Sequence, residues 1–395
     1  MKWPTLALED LATVQRGKFS ARPRNDPKYY GGDIPFIQTG DVANSAGRVR
    51  SYSQTLNPNG LSVSKLFPKG SLVVTIAANI GDVATVEFDF ACPDSLVVVQ
   101  ANEGVNSDWL QYSLESKKEL LDSLAPQNAQ KNINLEVLRP LAFDVPPLGE
   151  QQRIAGAINA WNTAIEKTER LIAAKEKRKS GLMSKLLTGK QRLNGFNASW
   201  RNAYLGELFR ERVEVNWNDL QLLSITGENG VVLRSDLNRK DSSNDDKSKY
   251  LRICPGDIGY NTMRMWQGVS ALSSHEGIIS PAYTVCIPTP EIDGRFASYL
   301  FKLPEVIHLF YRYSQGLTSD TWNLKFHHFA EVRVYIPEVD EQIAIASVLA
   351  ALDNELAIQK KQRNALVQQK RGLMQKLLTG QWRVTIPTSK EVPHA

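Results

Sequence analysis

Residues 181–192 read GLMSKLLTGKQR and residues 372–383 read GLMQKLLTGQWR, so the chain carries almost the same phrase twice. The copies lie 191 residues apart (372 − 181), and the same offset aligns further residues without a gap: Pro146 with Pro337, Glu150 and Gln151 with Glu341 and Gln342, and Ile154 and Ala155 with Ile345 and Ala346. A weaker echo at an offset of 197 (200 − 3) aligns Trp3 with Trp200. The chain is therefore two half-chains, each a variable region followed by a repeated one.

Each repeated region predicts one long helix. From Ile154 and again from Ile345, apolar residues recur at alternating steps of four and three, which is the seam of a coiled coil. Proline before and glycine after each run are start and stop signals: Pro147 and Gly189, then Pro337 and Gly380. Roughly 38 residues at ~1.5 Å each predict a rod of about 55–60 Å. Since an apolar seam needs a partner, we expect the two helices to pack antiparallel about a pseudo-twofold axis.

Six polar residues interrupt the two seams at mid-length: Thr168, Lys175, Lys179, Gln359, Arg363 and Lys370. One interpretation is register control at a modest cost in stability. The other is a docking surface for another subunit. The sequence alone leaves both open.

The variable regions are predicted to be mixed and strand-rich. Residues 70–78 and 95–101 are short β-branched runs bounded by turn residues, as are shorter runs in the second region. Short helices are predicted at residues 108–124 and 293–309. We therefore expect an α+β fold with two mixed, strand-rich domains held apart by the helices. The predicted division is 1–146, 147–196, 197–336 and 337–383, followed by a polar tail at 384–395.

Composition limits the class of protein. Of 395 residues, 42% are hydrophobic and 23% charged, and no run reaches the ~18 apolar residues that a membrane helix needs. The chain starts without the apolar stretch of a signal peptide, so we expect a cytoplasmic protein with no membrane partner. Three widely spaced cysteines match neither a disulfide framework nor a zinc pattern. The net charge of +5 mildly favours a polyanionic partner.

Motifs for catalysis are missing from the sequence. Neither a GxxxxGK[ST] phosphate loop nor a GxGxxG turn is present, and no Asn-Pro-Pro motif of amino-methyltransferases occurs. The five histidines lack ligand-like spacing to cysteines or carboxylates, so no metal site is expected. Asp-x-Lys triplets at residues 26–28 and 245–247 are fragments of nuclease sites that arise by chance in charged chains. We expect no catalytic residue, cofactor or metal in this chain.

Basic, amide and aromatic residues cluster in predicted turns of the first region. Lysine and arginine neutralise phosphates, while arginine, asparagine and glutamine can read base edges in the major groove. A solvated surface loop would have a similar composition, so that interpretation stays open. The candidate DNA-binding residues are Lys18, Arg22, Arg24, Lys28, Tyr30, Gln38, Thr39, Gln127, Asn128, Lys131 and Asn132.

The second region carries a comparable set of turn residues. Residues 260–268 read YNTMRMWQG, and residues 314–323 precede the second rod as residues 126–134 precede the first. The candidate DNA-binding residues here are Arg234, Arg239, Lys240, Asn261, Arg264, Trp266, Gln315, Thr318 and Asn323.

The repeated sequence motifs resemble those of a known protein family. VPPLGEQQRIAGAI followed by a long helix and GLMSKLLTG, all repeated after a second variable region, looks like the specificity subunit of a type I restriction-modification enzyme. The resemblance covers essentially the whole chain and is most specific at residues 146–189 and 337–380. Residues 32–42 and 280–285 also resemble recurrent wording in target-recognition domains of that family.

This resemblance implies a division of labour. Each target-recognition domain would read one half of a bipartite, asymmetric sequence in double-stranded DNA, and the helices would fix the unread gap. Two modification subunits would dock on the chain, bind S-adenosylmethionine and methylate adenine after flipping it out of the duplex. Restriction subunits would add ATP- and Mg-dependent translocation and cleavage. The chain itself would be non-catalytic.

Two rival functions remain open at this point. One is a coiled-coil scaffold that joins two protein-binding domains, and the other is a self-contained DNA methyltransferase. Salt-sensitive binding to a bipartite DNA site would separate the first rival from DNA recognition, and S-adenosylmethionine binding by the isolated chain would favour the second.

Overall fold

The computed structural model describes residues 2–77, 79–125, 131–227, 230–237, 246–318 and 321–384. It divides into two compact units. The first combines Met1–Thr168 with Gln362–Ala395, and the second is the continuous segment Glu169–Lys361. Of the polar tail predicted at 384–395, residues 385–395 lie outside the described residues.

The first unit contains short strands and helices before the first long helix. The strands are β1 Thr5–Ala7, β2 Ala12–Arg16, β3 Tyr30–Phe36, β4 Arg48–Val49, β5 Gln54–Leu56, β6 Leu66–Phe67, β7 Leu72–Thr75, β8 Val83–Val86, β9 Phe90–Ala91, β10 Leu96–Ala101 and β11 Ala142–Asp144. The helices are α1 Leu8–Leu11, α2 Thr39–Ala43, α3 Pro58–Ser62, α4 Ser107–Glu115, α5 Lys118–Leu124, α6 Leu135–Leu138 and the long α7 Leu148–Leu186.

The second unit repeats this order with fewer elements. Its strands are β12 Arg201–Tyr204, β13 Phe209–Glu211, β14 Leu223–Thr226, β15 Gly230–Leu233, β16 Leu251–Ile253, β17 Ile258–Asn261, β18 Ser270–Leu272, β19 Gly277–Ile279, β20 Tyr283–Pro288 and β21 Arg333–Ile336. Its helices are α8 Leu205–Leu208, α9 Gly294–Leu300, α10 Pro304–Tyr313, α11 Phe326–Ala330 and the long α12 Val339–Leu378. Each long helix contributes one end to each unit.

Each unit has its own antiparallel core sheet, and the two sheets have equivalent strand orders. The order is β2-β10-β7-β8 in the first unit and β13-β20-β17-β18 in the second. The strand that opens each unit also pairs with the strand just before a long helix, β1 with β11 and β12 with β21. The shared framework means that equivalent loops emerge at equivalent places in both units.

Additions to the core distinguish the units. The first unit adds β4 to the core sheet, and it has a second four-stranded sheet of order β5-β3-β9-β6. The second unit instead adds two strand pairs, β14-β15 and β16-β19. Its core is rich in aromatic rings, with Phe209, Phe301, Phe310 and Phe329 all buried and in mutual contact.

The predicted strands at residues 70–78 and 95–101 are confirmed as β7 and β10, both fully buried along most of their length. The predicted short helices each divide into two. The first becomes α4 and α5, and the second becomes α9 and α10. The second division has a clear cause, because Pro304 cannot continue a preceding helix but suits the first turn of a new one.

The predicted long helices are confirmed as α7 and α12, and they pack against each other. In the second unit Lys175 lies 2.5 Å from Glu355, and Lys179 lies 2.5 Å from Asp353. The partner number falls as the lysine number rises, so the helices run antiparallel there. The two lysines are half-buried, and their ion pairs join the helices at Lys175 and Lys179, as register control requires.

A three-residue contact, here named the clasp, joins repeated residues around a buried glutamate in each unit. In the first unit the Arg383 guanidinium donates two hydrogen bonds of 2.8 Å to the Glu150 carboxylate, and Trp3 Nε1 donates a third at 3.3 Å. In the second unit Arg192 donates to Glu341 at 2.5 and 2.6 Å, and Trp200 Nε1 donates at 3.1 Å. The list of matching positions is Glu150 with Glu341, Arg383 with Arg192, and Trp3 with Trp200.

Glycine is required beside each clasp. Gly189 and Gly380 both have φ of +71°, a left-handed conformation that ends a helix, and an added Cβ would lie within 3.4 Å of the Trp200 ring or 3.1 Å of the Trp3 ring. Arg192 and Arg383 also sit over those rings, at 5.8 and 5.0 Å from the centroids. The helix end, the arginine and the tryptophan therefore form one packed group.

The glutamine that follows each clasp glutamate is equally structural. Gln151 accepts a hydrogen bond from the Asn106 backbone N–H at 2.7 Å, and Gln342 accepts one from Asp293 at 2.8 Å. Asn106 and Asp293 are themselves the N-caps of α4 and α9. The repeated Glu-Gln pair thus anchors the start of each long helix to the unit around it.

Among the helices that the structure describes, none combines the length and the apolar character needed to span a bilayer. Within the same described ranges, no group of three or more histidine, cysteine, aspartate or glutamate side chains could hold a metal ion.

Candidate nucleic-acid interface

One surface of the second unit gathers six of the predicted site residues. After β17 the chain turns through a 3-10 helix at Met265–Gln267, and the segment before α11 returns to it. Leu324 N–H donates to the Thr262 carbonyl at 2.8 Å, which fixes the two loops side by side. The residues brought together in this way are Asn261, Arg264, Trp266, Gln315, Thr318 and Asn323.

Aromatic packing supports this surface from below. The Trp322 ring meets Trp266 edge to face at 5.1 Å between centroids and Tyr311 at 4.8 Å. Trp266 Nε1 also donates to the Met263 carbonyl at 2.9 Å. Trp266 therefore serves mainly as scaffold, with its ring half-buried.

Some of the predicted polar side chains on this surface are bonded to the backbone, and others are exposed. Asn261 Oδ1 accepts from Met263 N–H at 3.0 Å, and Asn323 Nδ2 donates to two backbone carbonyls at 3.2 and 3.3 Å. Both asparagines thus hold the loops in place. Arg264, Gln315 and Thr318 are exposed at the surface.

The first unit repeats the same loop arrangement. Ile133 N–H donates to the Ile76 carbonyl at 3.0 Å, and this bond is equivalent to the one from Leu324 to Thr262. Asn132 and Ala77 form an antiparallel β-bridge beside it. Lys131 and Asn132 are exposed, and Lys131 lies 3.6 Å from Asp122. Gln127 and Asn128 lie outside the described residues.

Charge in the predicted loop at residues 15–30 is partly neutralised within the unit. Arg24 donates to both oxygens of Asp94 at 2.8 and 2.9 Å. Lys28 lies 3.0 Å from Asp26, and its hydrogen bond is the main cause of the lowered pKa of the Asp26 carboxyl. Lys18 and Arg22 are exposed, and no carboxylate of the described ranges is within ion-pair distance of either.

The remaining predicted residues are spread over other elements. Tyr30 donates its hydroxyl to the Arg24 carbonyl and packs on Phe19. Gln38 and Thr39 are half-buried at the start of α2, where the Gln38 amide donates to Gln54 at 3.0 Å. Arg234 begins a 3-10 helix after β15. Arg239 and Lys240 lie outside the described residues.

Sequence reasoning missed several residues on the second unit's surface. Leu317 is fully exposed and Met263 is 48% exposed, and the basic residues Arg312 and Lys325 are exposed nearby in the chain. The clasp residues were missed as a group too, although the offsets of 191 and 197 already aligned most of them.

The amino-acid sequence is similar to known proteins over much of its length. Residues 1–176 match the family model described as type I restriction modification DNA specificity domain. The type I restriction enzyme MjaVIII specificity subunit of Methanocaldococcus jannaschii is 22% identical over 332 residues, covering 72% of this chain and 72% of that protein. The MjaIX specificity subunit of the same organism is 26% identical over 172 residues, which cover 42% of this chain but only 39% of that protein.

Solved structures show the same fold. A type I restriction-modification S subunit from M. genitalium superposes with a TM-score of 0.58 at 16% identity, covering 96% of each chain. A chain from work on complex assembly and conformational transition of the type I R-M system gives a TM-score of 0.61 at 16% identity, covering 96% of this chain and 98% of the other. Together, the sequence and structure matches show that this chain is similar to type I restriction-modification specificity subunits and shares their fold.

Proposed function

We propose that the chain reads a bipartite, asymmetric DNA sequence, with each unit recognising one half-site. The observation that carries this proposal is a shared framework with different loop chemistry. The hydrogen bonds from Ile133 to Ile76 and from Leu324 to Thr262 fix equivalent loops on equivalent sheets. Different side chains on those loops would read different bases, because specificity resides in base-edge contacts rather than in the supporting fold.

The proposal assigns the two long helices the role of setting the unread gap. Each is a continuous helix, of 39 residues in α7 and 40 in α12, and each continues from one unit into the other. A rigid helical connection would favour one gap length between half-sites. Recognition should therefore depend on the number of intervening base pairs as well as on the half-sites.

Catalysis is assigned to partner subunits. We propose that two modification subunits dock on the chain and bring S-adenosylmethionine, and that restriction subunits bring ATP and Mg. Each unit offers one groove at the same place in the repeat, of about 720 Å³ in the second unit and about 700 Å³ in the first. The offset of 191 aligns helix residues that line them: Lys179 with Lys370, Met183 with Met374, and Ser184 with Gln375. Two equivalent grooves would suit two copies of one partner. With DNA as the target, we place the complex in the cytoplasm.

Selection from a randomised DNA duplex library tests this function. The full-length chain is expected to enrich two short, different half-sites separated by a constant number of unspecified base pairs. Its affinity should fall steeply and linearly on a plot of log K against log salt, because bound phosphates release counterions.

Other outcomes would favour the rival functions. A chain that enriches no sequence and binds DNA without salt dependence would support the scaffold. Binding of S-adenosylmethionine by the isolated chain, measured by calorimetry, would support a self-contained methyltransferase. Native mass spectrometry of the assembled complex counts the modification subunits, and a single copy would contradict the two-groove assignment.

A further inference from the structure

A half-buried lysine holds the end of the loop that exposes Arg264. This loop, residues 262–269, joins β17 to β18 and lies wholly within the described residues. Lys302 follows α9, and its ammonium donates hydrogen bonds of 2.6 Å to the Gly268 carbonyl and 2.8 Å to the Ser270 carbonyl. Gly268 is the C-cap of the 3-10 helix whose N-cap is Arg264. The lysine therefore fixes the end of the β17–β18 loop.

Helix α10 packs against the same glycine. Gly268 has a φ of +76°, and an added Cβ would lie 2.7 Å from Ile307 Cδ1, so both the backbone conformation and the close approach require glycine. Within the loop, the Arg264 N–H donates to the Asn261 carbonyl at 3.0 Å and the Gly268 N–H donates to the Met265 carbonyl at 2.7 Å. The loop is thus ordered internally and held from outside by the junction between α9 and α10.

A cation at position 302 lowers the stability of the unit. In the described part of the chain no carboxylate lies within ion-pair distance of Lys302, and burial lowers the pKa of its ammonium. A buried charge without a counter-charge is unfavourable, whereas a methionine of similar length would not carry this cost. The two loop carbonyls offset it in part. Lys302 therefore stabilises one conformation of the loop at the expense of overall stability.

The same lysine lines the groove of about 720 Å³ that we assign to a modification subunit. Pro304, the first residue of α10, continues this wall, and Ile307 lies one turn further along the helix. Asp353 of α12 lines the groove as well, and its carboxylate accepts a hydrogen bond of 2.7 Å from Tyr299 of α9. A partner that fills the groove would therefore contact the junction that holds the β17–β18 loop.

The first unit repeats this relation with different chemistry. Lys118 lines the groove of about 700 Å³ and forms an ion pair with Asp82, which directly precedes β8. Gly81 has a φ of +84°, and an added Cβ would lie 3.1 Å from the Lys118 Cα. Strands β8 and β18 occupy equivalent places in the two core sheets. In each unit a lysine of the groove thus bonds the chain just before or at the start of the equivalent strand.

We propose that Lys302 is a positioning residue that holds the β17–β18 loop in the conformation that reads the second half-site and couples this loop to the partner in the groove. Lys118 has the corresponding role for the first half-site. This inference rests on the proposed function. A modification subunit seated against Lys302 and Pro304 restricts the junction, so the loop loses less freedom when it binds DNA. Because coupling between two binding sites is reciprocal, bound DNA strengthens docking by the same factor.

The test compares Lys302→Met with Lys360→Met in the full-length chain. Methionine keeps the length of the side chain but removes its charge and its donors. Lys360 is a matched control, because it lines the same groove but pairs with Glu176 at 2.7 Å instead of with the loop. Lys302→Met is expected to relax base preference in the second half-site only and to lower affinity for the complete site roughly tenfold. Lys360→Met should leave both half-site preferences unchanged.

Titration with the modification subunit measures the coupling. DNA affinity is determined with and without saturating subunit, on targets altered in one half-site or the other. The subunit should sharpen discrimination at both half-sites of the unmodified chain, and Lys302→Met should reduce this gain about fivefold at the second half-site alone. Lys302→Arg keeps a charged donor and should retain the preference. Urea denaturation of each variant reports its stability separately.

The first unit offers an independent pair of variants, which also serves if Lys302→Met does not fold. The Lys118 side chain is 51% exposed, so Lys118→Met removes a surface ion pair and should relax only the first half-site. Arg371→Met is its control, because Arg371 lines the same groove and pairs with Glu119 at 2.8 Å.

Three results would overturn the inference. Lys302→Met would lower stability in urea yet keep both half-site preferences, which is the signature of a purely structural lysine. It would weaken discrimination at both half-sites equally. The modification subunit would change discrimination by the same factor in Lys302→Met as in the unmodified chain. All three differ from failure of the proposed function, in which the unmodified chain itself enriches no bipartite site.

Discussion

The two clasps use the same three side chains but join them through different lengths of chain. In the second unit Arg192 and Trp200 are connected by the short segment 193–199, whereas in the first unit Arg383 and Trp3 come from opposite ends of the described chain. The geometry around the glutamate is nevertheless the same. The buried carboxylate, rather than chain connectivity, must therefore organise the arginine and the tryptophan.

Removal of the glutamate charge at the centre of either clasp should have the largest effect on stability. Glu341 is 2% exposed and Glu150 5% exposed, so Glu341→Gln or Glu150→Gln leaves a guanidinium without its counter-charge. We expect each change to cost about 2–3 kcal/mol of unfolding free energy, below the usual 3–5 because both arginines reach solvent. Urea denaturation measures it.

Glu119→Gln is the matched control, since Glu119 pairs with Arg371 in an exposed ion pair and should cost less than about 0.5 kcal/mol. Equal costs for Glu341→Gln and Glu119→Gln would contradict the organising role of the carboxylate. Glu150→Gln should also expose residues 379–384 to limited proteolysis, because Arg383 loses its hydrogen bonds to Glu150.

The next effect is a pH dependence of the first unit. Hydrogen bonds from Arg383, followed by that from Trp3, hold the pKa of Glu150 below its ordinary value, although burial opposes them. A carboxyl with a lowered folded pKa contributes stability above its unfolded pKa of about 4.3, and this contribution is lost as pH falls below that value. Between pH 6 and pH 3, the free energy of unfolding should fall more steeply with decreasing pH for the unmodified chain than for Glu150→Gln. Parallel curves would argue against this linkage.

A smaller difference lies where α4 and α9 meet the long helices. Tyr112 accepts a hydrogen bond from Asn162 at 2.9 Å, whereas Tyr299 donates one to Asp353 at 2.7 Å, at the position equivalent to Asn162. Burial is the main cause that raises the pKa of both tyrosines, that of Tyr112 to about 12. At this position the second unit therefore has a carboxylate where the first unit has an amide.

Asp353→Asn should make the second contact resemble the first. It removes the ion pair with Lys179, in which both groups are partly exposed, so we expect a cost of about 0.5–1 kcal/mol. The cost should shrink in 1 M salt, because salt screens partly exposed charges. Tyr299→Phe is the control, since it removes a hydrogen bond and its cost should change little with salt. Equal salt dependence of the two variants would refute the assignment.

The smallest effect is expected from exchanging the connectivity of the two clasps. A permutant that links Val384 to Lys2 by a short spacer and opens the chain at the exposed Asn194 closes one clasp and opens the other. We expect its half-site preferences to match those of the unmodified chain in the library selection. A permutant that folds and binds its partners but no longer recognises DNA would contradict the equivalence of the clasps.

Elements with a local pattern were predictable from the sequence. The long helices follow from apolar periodicity and terminal glycines, and β7 and β10 follow from β-branched runs. The clasp could not be derived in the same way, because Arg383 meets Glu150 across 233 residues. The repeat aligned these residues without indicating that they touch.

The sequence predicted which residue types occur in the candidate site, but not which of their side chains are already paired within the protein. The sequence marked residues 260–268 and 314–323 as separate turn segments, and the hydrogen bond from Leu324 to Thr262 that brings them together spans 62 residues. The charge of Arg24 is neutralised by Asp94, which lies 70 residues away, and no local window contains both.

The split composition of the first unit has a consequence for biosynthesis. Its sheet core emerges early from the ribosome, but Gln362–Ala395, which supplies the end of α12 and Arg383, is translated after the whole second unit. The second unit is continuous and can mature as soon as Lys361 is released. The usual order, in which the leading domain folds first during translation, is thus reversed, and the nascent chain must carry Trp3 and Glu150 without their arginine until Arg383 has been translated.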